Sequence, residues 1–142
     1  MKINTLTTYN INALIVFLIK NENEFFIPHN HLKETINNNI LSKDKYYLMF
    51  IDDTIVGYGM LRGYEEGYKI PSLGIIIDKD YRGLGYSKIL MTFLEEAAST
   101  EEIRLTVFKG NKKALSLYKN IGYEFEEYND ISLLGLKKII KK

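Results

Sequence analysis

The residues best suited to chemistry lie between Gly74 and Lys88. Ile75-Ile76-Ile77 reads as a buried strand, Asp78-Lys79-Asp80-Tyr81 follows, and Arg82-Gly83-Leu84-Gly85-Tyr86-Ser87 leads into a helix. A strand that passes through a glycine-bearing loop into a helix is suited to holding an anion. Glycine turns the backbone through dihedrals that other residues avoid, and it lets a ligand approach without meeting a Cβ. The first amides of the helix have no internal partners, and the helix dipole favours negative charge beside them. The chemistry implied is capture of a diphosphate by backbone N–H groups. A plainer reading is that Gly83 and Gly85 only shape a strand-to-helix turn. The loop is not a dinucleotide fingerprint, because Ser87 and Lys88 stand where a third glycine is sought. It is not a P-loop either, because the glycine-lysine-hydroxyl ending is absent.

Other side chains are candidates for moving protons. Tyr118 shares a helical face with Ala114, Leu117 and Ile121, and it is either an acid or a core tyrosine with a satisfied hydroxyl. Glu65 and Glu66 fall in a loop; each is a solvated charge or a base, with Glu66, beside Gly67, the better placed. His29 and His31 flank Asn30. They read as a surface loop, a base, or half of a metal site with no evident third ligand. Phe25, Phe26 and Tyr64 are either core or an apolar wall for an acceptor. The chain has no cysteine, which excludes disulfides, thiolate zinc sites and any cysteine nucleophile. No metal is expected.

The elements that must carry these groups follow from pattern. Met1 to Leu6 reads as a strand, and Asn10 as the cap of a helix with Ile11, Leu14, Ile15 and Leu18 on its apolar face. Asn30 to Ile40, after Pro28, reads as a second helix. Tyr46–Ile51 and Thr54–Leu61 form a hairpin about Asp52-Asp53. Leu73–Ile77 is a central strand, and Tyr86–Ser99 a helix burying Ile89, Leu90, Phe93, Leu94 and Ala97. Ile103–Phe108 is a strand, Lys112–Asn120 a helix, and Tyr123–Tyr128 and Ser132–Leu136 are strands. The result is an α/β domain over residues 1–142.

Charge and hydropathy exclude other classes. With 19 basic and 18 acidic residues the net charge is +1, so no field seeks nucleic acid. The longest apolar run, Ala13 to Ile19, is well short of the roughly 20 residues that span a bilayer. Only Lys2 precedes it, and Asn21-Glu22-Asn23-Glu24 follows where a signal peptide needs small residues. No membrane association and a cytoplasmic location are expected. The basic run from Lys137 to Lys142 reads as a solvated tail.

Arg82-Gly83-Leu84-Gly85-Tyr86-Ser87 resembles the Arg/Gln-x-x-Gly-x-Gly/Ala signature of the GNAT superfamily of N-acetyltransferases. Ser87 replaces the usual final Gly or Ala, and Lys79 stands where a proline is common. A second series follows in order: Leu105-Thr106-Val107, Asn111, Ala114, Leu117-Tyr118 and Gly122-Tyr123-Glu124-Phe125. The resemblance implies a GNAT fold, with a mixed, mainly antiparallel sheet of six or seven strands, splayed in the middle and with helices on both faces. It implies acetyl-CoA as co-substrate, its pantetheine arm pairing with the backbone of Ile75, Ile76 and Ile77. Amides from Arg82, Gly83, Leu84, Gly85, Tyr86 and Ser87 would hold the pyrophosphate, Asn111 would contact the coenzyme, and Tyr118 would face the sulfur.

Transfer to an amine requires a neutral nitrogen, and an alkyl amine of pKa ~10 is mostly charged at neutral pH. An amide near Ile75 is the oxyanion donor that the resemblance implies. Tyr118 would protonate the leaving thiolate. Many relatives carry a glutamate near the position of Ser72, so Glu66 is the candidate base by default. Without cysteine, direct attack in a ternary complex is the simplest route. The acceptor is a small-molecule or protein amine, and a homodimer is possible. The alternatives are another acyl-CoA, a hydroxyl acceptor, or a coenzyme-A-binding module without catalysis.

Overall fold

The structure, a computed structural model, describes residues 1–21 and 43–139. The helix expected over Asn30–Ile40, together with Phe25, Phe26, His29 and His31, lies outside them. The elements in chain order are β1 (Lys2–Thr5), α1 (Ile11–Lys20), β2 (Lys45–Ile51), β3 (Thr54–Arg62), β4 (Ser72–Ile77) and α2 (Tyr86–Ala98). Then come β5 (Glu102–Phe108), α3 (Lys112–Asn120), β6 (Glu124–Glu127) and β7 (Ser132–Lys138). The seven strands form one sheet in the order β1-β2-β3-β4-β5-β7-β6. Every pairing is antiparallel except that of β4 with β5.

Helices cover both faces, so central strands are apolar on both sides. β3 is buried from Ile55 through Leu61. On one face α1 sets Leu14, Phe17 and Leu18 against Leu48, Tyr58 and Ile76. On the other, α2 sets Leu90, Met91, Leu94 and Ala98 against Met49, Leu61, Leu73 and Ile77. These faces differ slightly from the sequence expectation. Phe17 displaces Ile15 from the centre of its face, and Ile89 is 41% exposed, because the stripe of α2 runs through Leu90, Met91 and Leu94. Asn10 holds the cap position of α1 without capping it by its side chain; its Nδ2 instead donates to Thr7 Oγ1 at 3.3 Å.

The basic C-terminal stretch is not wholly a tail. β7 runs to Lys138 and inserts between β5 and β6, Ile139 is buried, and Lys137 Nζ meets Glu95 Oε1 at 2.9 Å. Sheet register brings Lys137 opposite Ile103 of β5, which overrides the local preference of lysine for solvent.

Gly59 lets α2 lie close to the sheet. A Cβ there would stand 3.0 Å from Leu94 Cδ1 and 3.2 Å from Leu90 Cδ1, and both leucines are fully buried. Gly59→Val is expected to destabilise the protein by about 1–3 kcal/mol through overpacking, read as a lower urea midpoint.

Candidate active site

β4 is held on one side only. It pairs with β3 along its whole length, from Arg62 opposite Ser72 to Gly57 opposite Ile77. With β5 it shares a single pair, Ser72 with Arg104, supported by Arg104 N–H donating to Pro71 O at 3.0 Å. Beyond that pair the strands part. The Asp78 N–H donates to Val56 O at 2.8 Å, so in this antiparallel ladder Ile76 and Gly74 also turn their polar backbone toward β3. The backbone groups of Leu73, Ile75 and Ile77 therefore face the split. Ile77 O is taken by Arg82 Nε at 3.0 Å, while Ile75 has no strand partner on that side among the described residues.

The loop after β4 continues the split. A 3-10 turn over Lys79–Tyr81 is capped by Asp78. Gly83 and Gly85 then adopt φ of 77° and 87°, a left-handed conformation that costs other residues about 1–2 kcal/mol. A Cβ on either glycine would meet nothing within 4 Å, so the glycines serve the backbone turn and leave open space before it. Gly85 is the N-cap of α2 and, as a glycine, brings no capping side chain; the first turn of the helix holds no acid. The first-turn amides of Tyr86, Ser87 and Lys88 thus lack intrahelical acceptors.

Split, loop and helix start enclose a cleft of about 770 Å³. Ile75, Ile76 and Ile77 line one wall, and Thr106, Val107 and Phe108 of β5 the opposite one. Arg82, Lys88 and Lys113 bring three cations, and no carboxylate lines it among the described residues. Such a cleft, cationic with unpaired amides at one end and apolar toward β4, suits a long ligand with phosphates at one end. From α3 come Ala114, Leu117 and Tyr118. Asn111, also on the lining, caps α3 by accepting from Ala114 N–H at 3.2 Å.

The sequence profile of the Acetyltransferase (GNAT) family matches residues 15–123, a span that includes this whole cleft except Ser132. The chain belongs to that family. That family is one of GNAT acetyltransferases. A probable spermine N(1)-acetyltransferase of Bacillus subtilis subsp. natto (strain BEST195) is 28% identical over 104 residues, covering 66% of this chain and 67% of that protein. The uncharacterized protein ML0378 of Mycobacterium leprae (strain TN) is 35% identical over 74 residues, 51% of this chain. The match spans only 21% of the length of that relative. Among solved structures, a chimera of the spermidine N-acetyltransferase SpeG from Vibrio cholerae with hSSAT superposes with a TM-score of 0.81. It is 16% identical and covers 97% of this chain and 94% of its own, so the likeness is one of fold.

The GNAT cleft gathers most of the residues expected from sequence. Ile75, Ile76, Ile77, Arg82, Gly83, Gly85, Ser87, Asn111 and Tyr118 all line it. Leu84 and Tyr86 enter the expectation through their backbone amides; the Leu84 side chain is exposed, and the Tyr86 ring packs 6.4 Å from that of Tyr81. Glu66 is exposed in the turn after β3 and is not on the lining. Tyr64 is tied elsewhere: its hydroxyl donates to Ala98 O at 3.0 Å, which joins the hairpin to the end of α2. Among the described residues no three metal-binding side chains gather, and no helix is long and apolar enough to cross a membrane.

Burial pushes the Tyr118 hydroxyl above the ordinary tyrosine range, which keeps it a proton donor at neutral pH. Its ring lies 6.1 Å from that of Tyr123. Tyr123 is anchored in turn, donating to Glu95 Oε2 at 2.9 Å. Lys88 and Lys113 escaped the sequence reading because a lone lysine on a helix is ordinarily a solvated charge. Only the splay shows that both face one cleft.

The loop also carries a buried acid. Burial favours the neutral form of Asp78, yet the Asp80 N–H and the Lys20 ammonium together hold its carboxyl below the ordinary value of 3.8. A lowered folded-state value means that this contribution is fully present above the unfolded value and is lost as pH falls through the folded one. Asp78→Asn is therefore expected to lose less stability than the parent between roughly pH 5 and pH 2, measured by urea melts across that range.

Proposed function

We propose that this chain moves the acetyl group of acetyl-CoA to a primary amine by direct attack in a ternary complex. The observation that carries the reading is the one-sided pairing of β4, which leaves the Ile75 backbone free beside a cationic, uncapped helix start. Arg82, Lys88 and Lys113, with the amides from Arg82 to Ser87, suit the phosphates. The Ile75 N–H is placed to donate to the thioester oxygen, where negative charge develops as the amine attacks. The bond from amine nitrogen to acyl carbon forms, and the bond from carbon to sulfur breaks. Tyr118 gives its proton to the departing thiolate and regains one from solvent. The chain has no cysteine, so the acyl group does not pass through an enzyme thiol.

The amine must be neutral to attack. The described lining offers no carboxylate base, and Glu66 is exposed outside it. The amine proton leaves to a base or through a chain of waters. A polyamine is the first acceptor class to test, because the Bacillus relative is a probable spermine N(1)-acetyltransferase. CoA release from acetyl-CoA across a panel of polyamines, amino sugars, amino acids and peptide amines tests the reading. Release with at least one amine is expected; saturable acetyl-CoA binding without release to any amine would instead mark a CoA-binding module.

Tyr118→Phe is expected to lower kcat by about 10²–10⁴-fold while acetyl-CoA binding stays within about twofold of the parent. An unchanged kcat rejects the acid role. Glu66→Gln is expected to leave kcat within about twofold, since the carboxylate stands away from the cleft, and a loss on the general-base scale of about 10²-fold would restore it as the base.

A further inference from the structure

We propose that Lys20 and Asn21, at the end of α1, are positioning residues for coenzyme binding, acting through the turn that starts the phosphate loop. The inference rests on the coenzyme reading above. Neither residue lines the cleft, and each is committed to the segment from Asp78 to Asp80. Lys20 Nζ lies 3.0 Å from both Asp78 Oδ1 and Oδ2 and 2.9 Å from Asp80 Oδ2. Asn21 Oδ1 accepts from the Lys79 N–H at 3.0 Å, and its Nδ2 donates to Phe17 O at 2.9 Å. Asn21 and Asp78 are 2% and 3% exposed. A buried amide with both ends occupied, beside a buried carboxylate, admits one arrangement of the turn.

The turn sets the path of everything after it. Asp78 is bound by its N–H to Val56 O, by its carbonyl to the Tyr81 N–H, and by its carboxylate to the Asp80 N–H. Arg82 then leaves in an extended conformation and reaches back to Ile77 O. Arg82, Gly83, Leu84 and Gly85 are all exposed, so the course of the loop depends on its two ends. One end is the first turn of α2. The other is this clamp, which joins the first helix of the fold to a loop far from it in sequence.

Charge gives the clamp a second effect. Asp78 and Asp80 place two carboxylates at the start of a loop that must accept phosphates, and like charges at close range oppose binding. The Lys20 ammonium compensates them. Removing it would both release the turn and leave carboxylate charge uncompensated next to the anion site.

The test is calorimetric titration of the intact protein with CoA, with steady-state kinetics at varied acetyl-CoA. Lys20→Met and Asn21→Ala are each expected to weaken CoA binding about tenfold. The KM for acetyl-CoA should rise in step, while kcat at saturating acetyl-CoA stays within about twofold. Lys20→Arg is expected to bind CoA as the parent does. Adding Asp80→Asn to Lys20→Met should recover part of the lost affinity, which a purely structural role would not produce. Ile11→Val, in the buried face of the same helix, lowers stability without touching the loop and should leave CoA affinity unchanged. Parental CoA affinity in Lys20→Met and Asn21→Ala overturns the inference, as does an equal loss in Ile11→Val. No CoA binding by the parent protein overturns the coenzyme reading itself.

Discussion

A strand that loses one neighbour partway along its length is the constraint on which the rest of this molecule depends. Backbone N–H and C=O groups inside a fold must find partners, and β4 has partners on the β3 side throughout. On the β5 side it has one pair and then none. The sheet tolerates this because the gap opens as a cleft instead of closing as core, and Arg82 satisfies the last carbonyl of the strand. What remains unpaired at Ile75 is a strand edge in the middle of a sheet, able to accept an extended ligand as it would another strand.

Everything around the gap suits one kind of guest. Glycines at φ of 77° and 87° carry the chain from strand to helix, and the helix begins without a capping side chain. Lysines from α2 and from the first turn of α3 face the same space as Arg82. Opposite, Asn111 uses its side-chain oxygen to start α3, and that helix presents Tyr118 two turns later. Tyr118 in turn packs against a tyrosine bound to Glu95 of α2. α2 thus both borders the proposed phosphate site and steadies Tyr118, the proposed acid.

Much of this was legible in the sequence, for identifiable reasons. Gly83 and Gly85 mark a turn that only glycine makes cheaply, and the apolar run at Ile75-Ile76-Ile77 announces a strand covered on both faces. Local pattern therefore located the loop, both flanking helices and the cleft wall. It misplaced what depends on distant partners. Ile89 carries an apolar side chain to the exposed edge of α2 because α2 is rotated toward Leu90 and Met91. Lys137 belongs to a strand only because β7 lies between β5 and β6. The Lys20 and Asn21 clamp, spanning 58 residues of chain, left no mark in local pattern.

Backbone-amide hydrogen exchange, followed residue by residue with and without saturating CoA, tests the central claim most directly. The Ile75 amide should exchange fast in the free protein and slow markedly when CoA is present, together with the amides from Gly85 to Lys88. Ile76, paired to β3, should be slow in both states. An Ile75 amide already protected without CoA, or one that CoA leaves unchanged, would contradict a ligand seated along the open edge of β4.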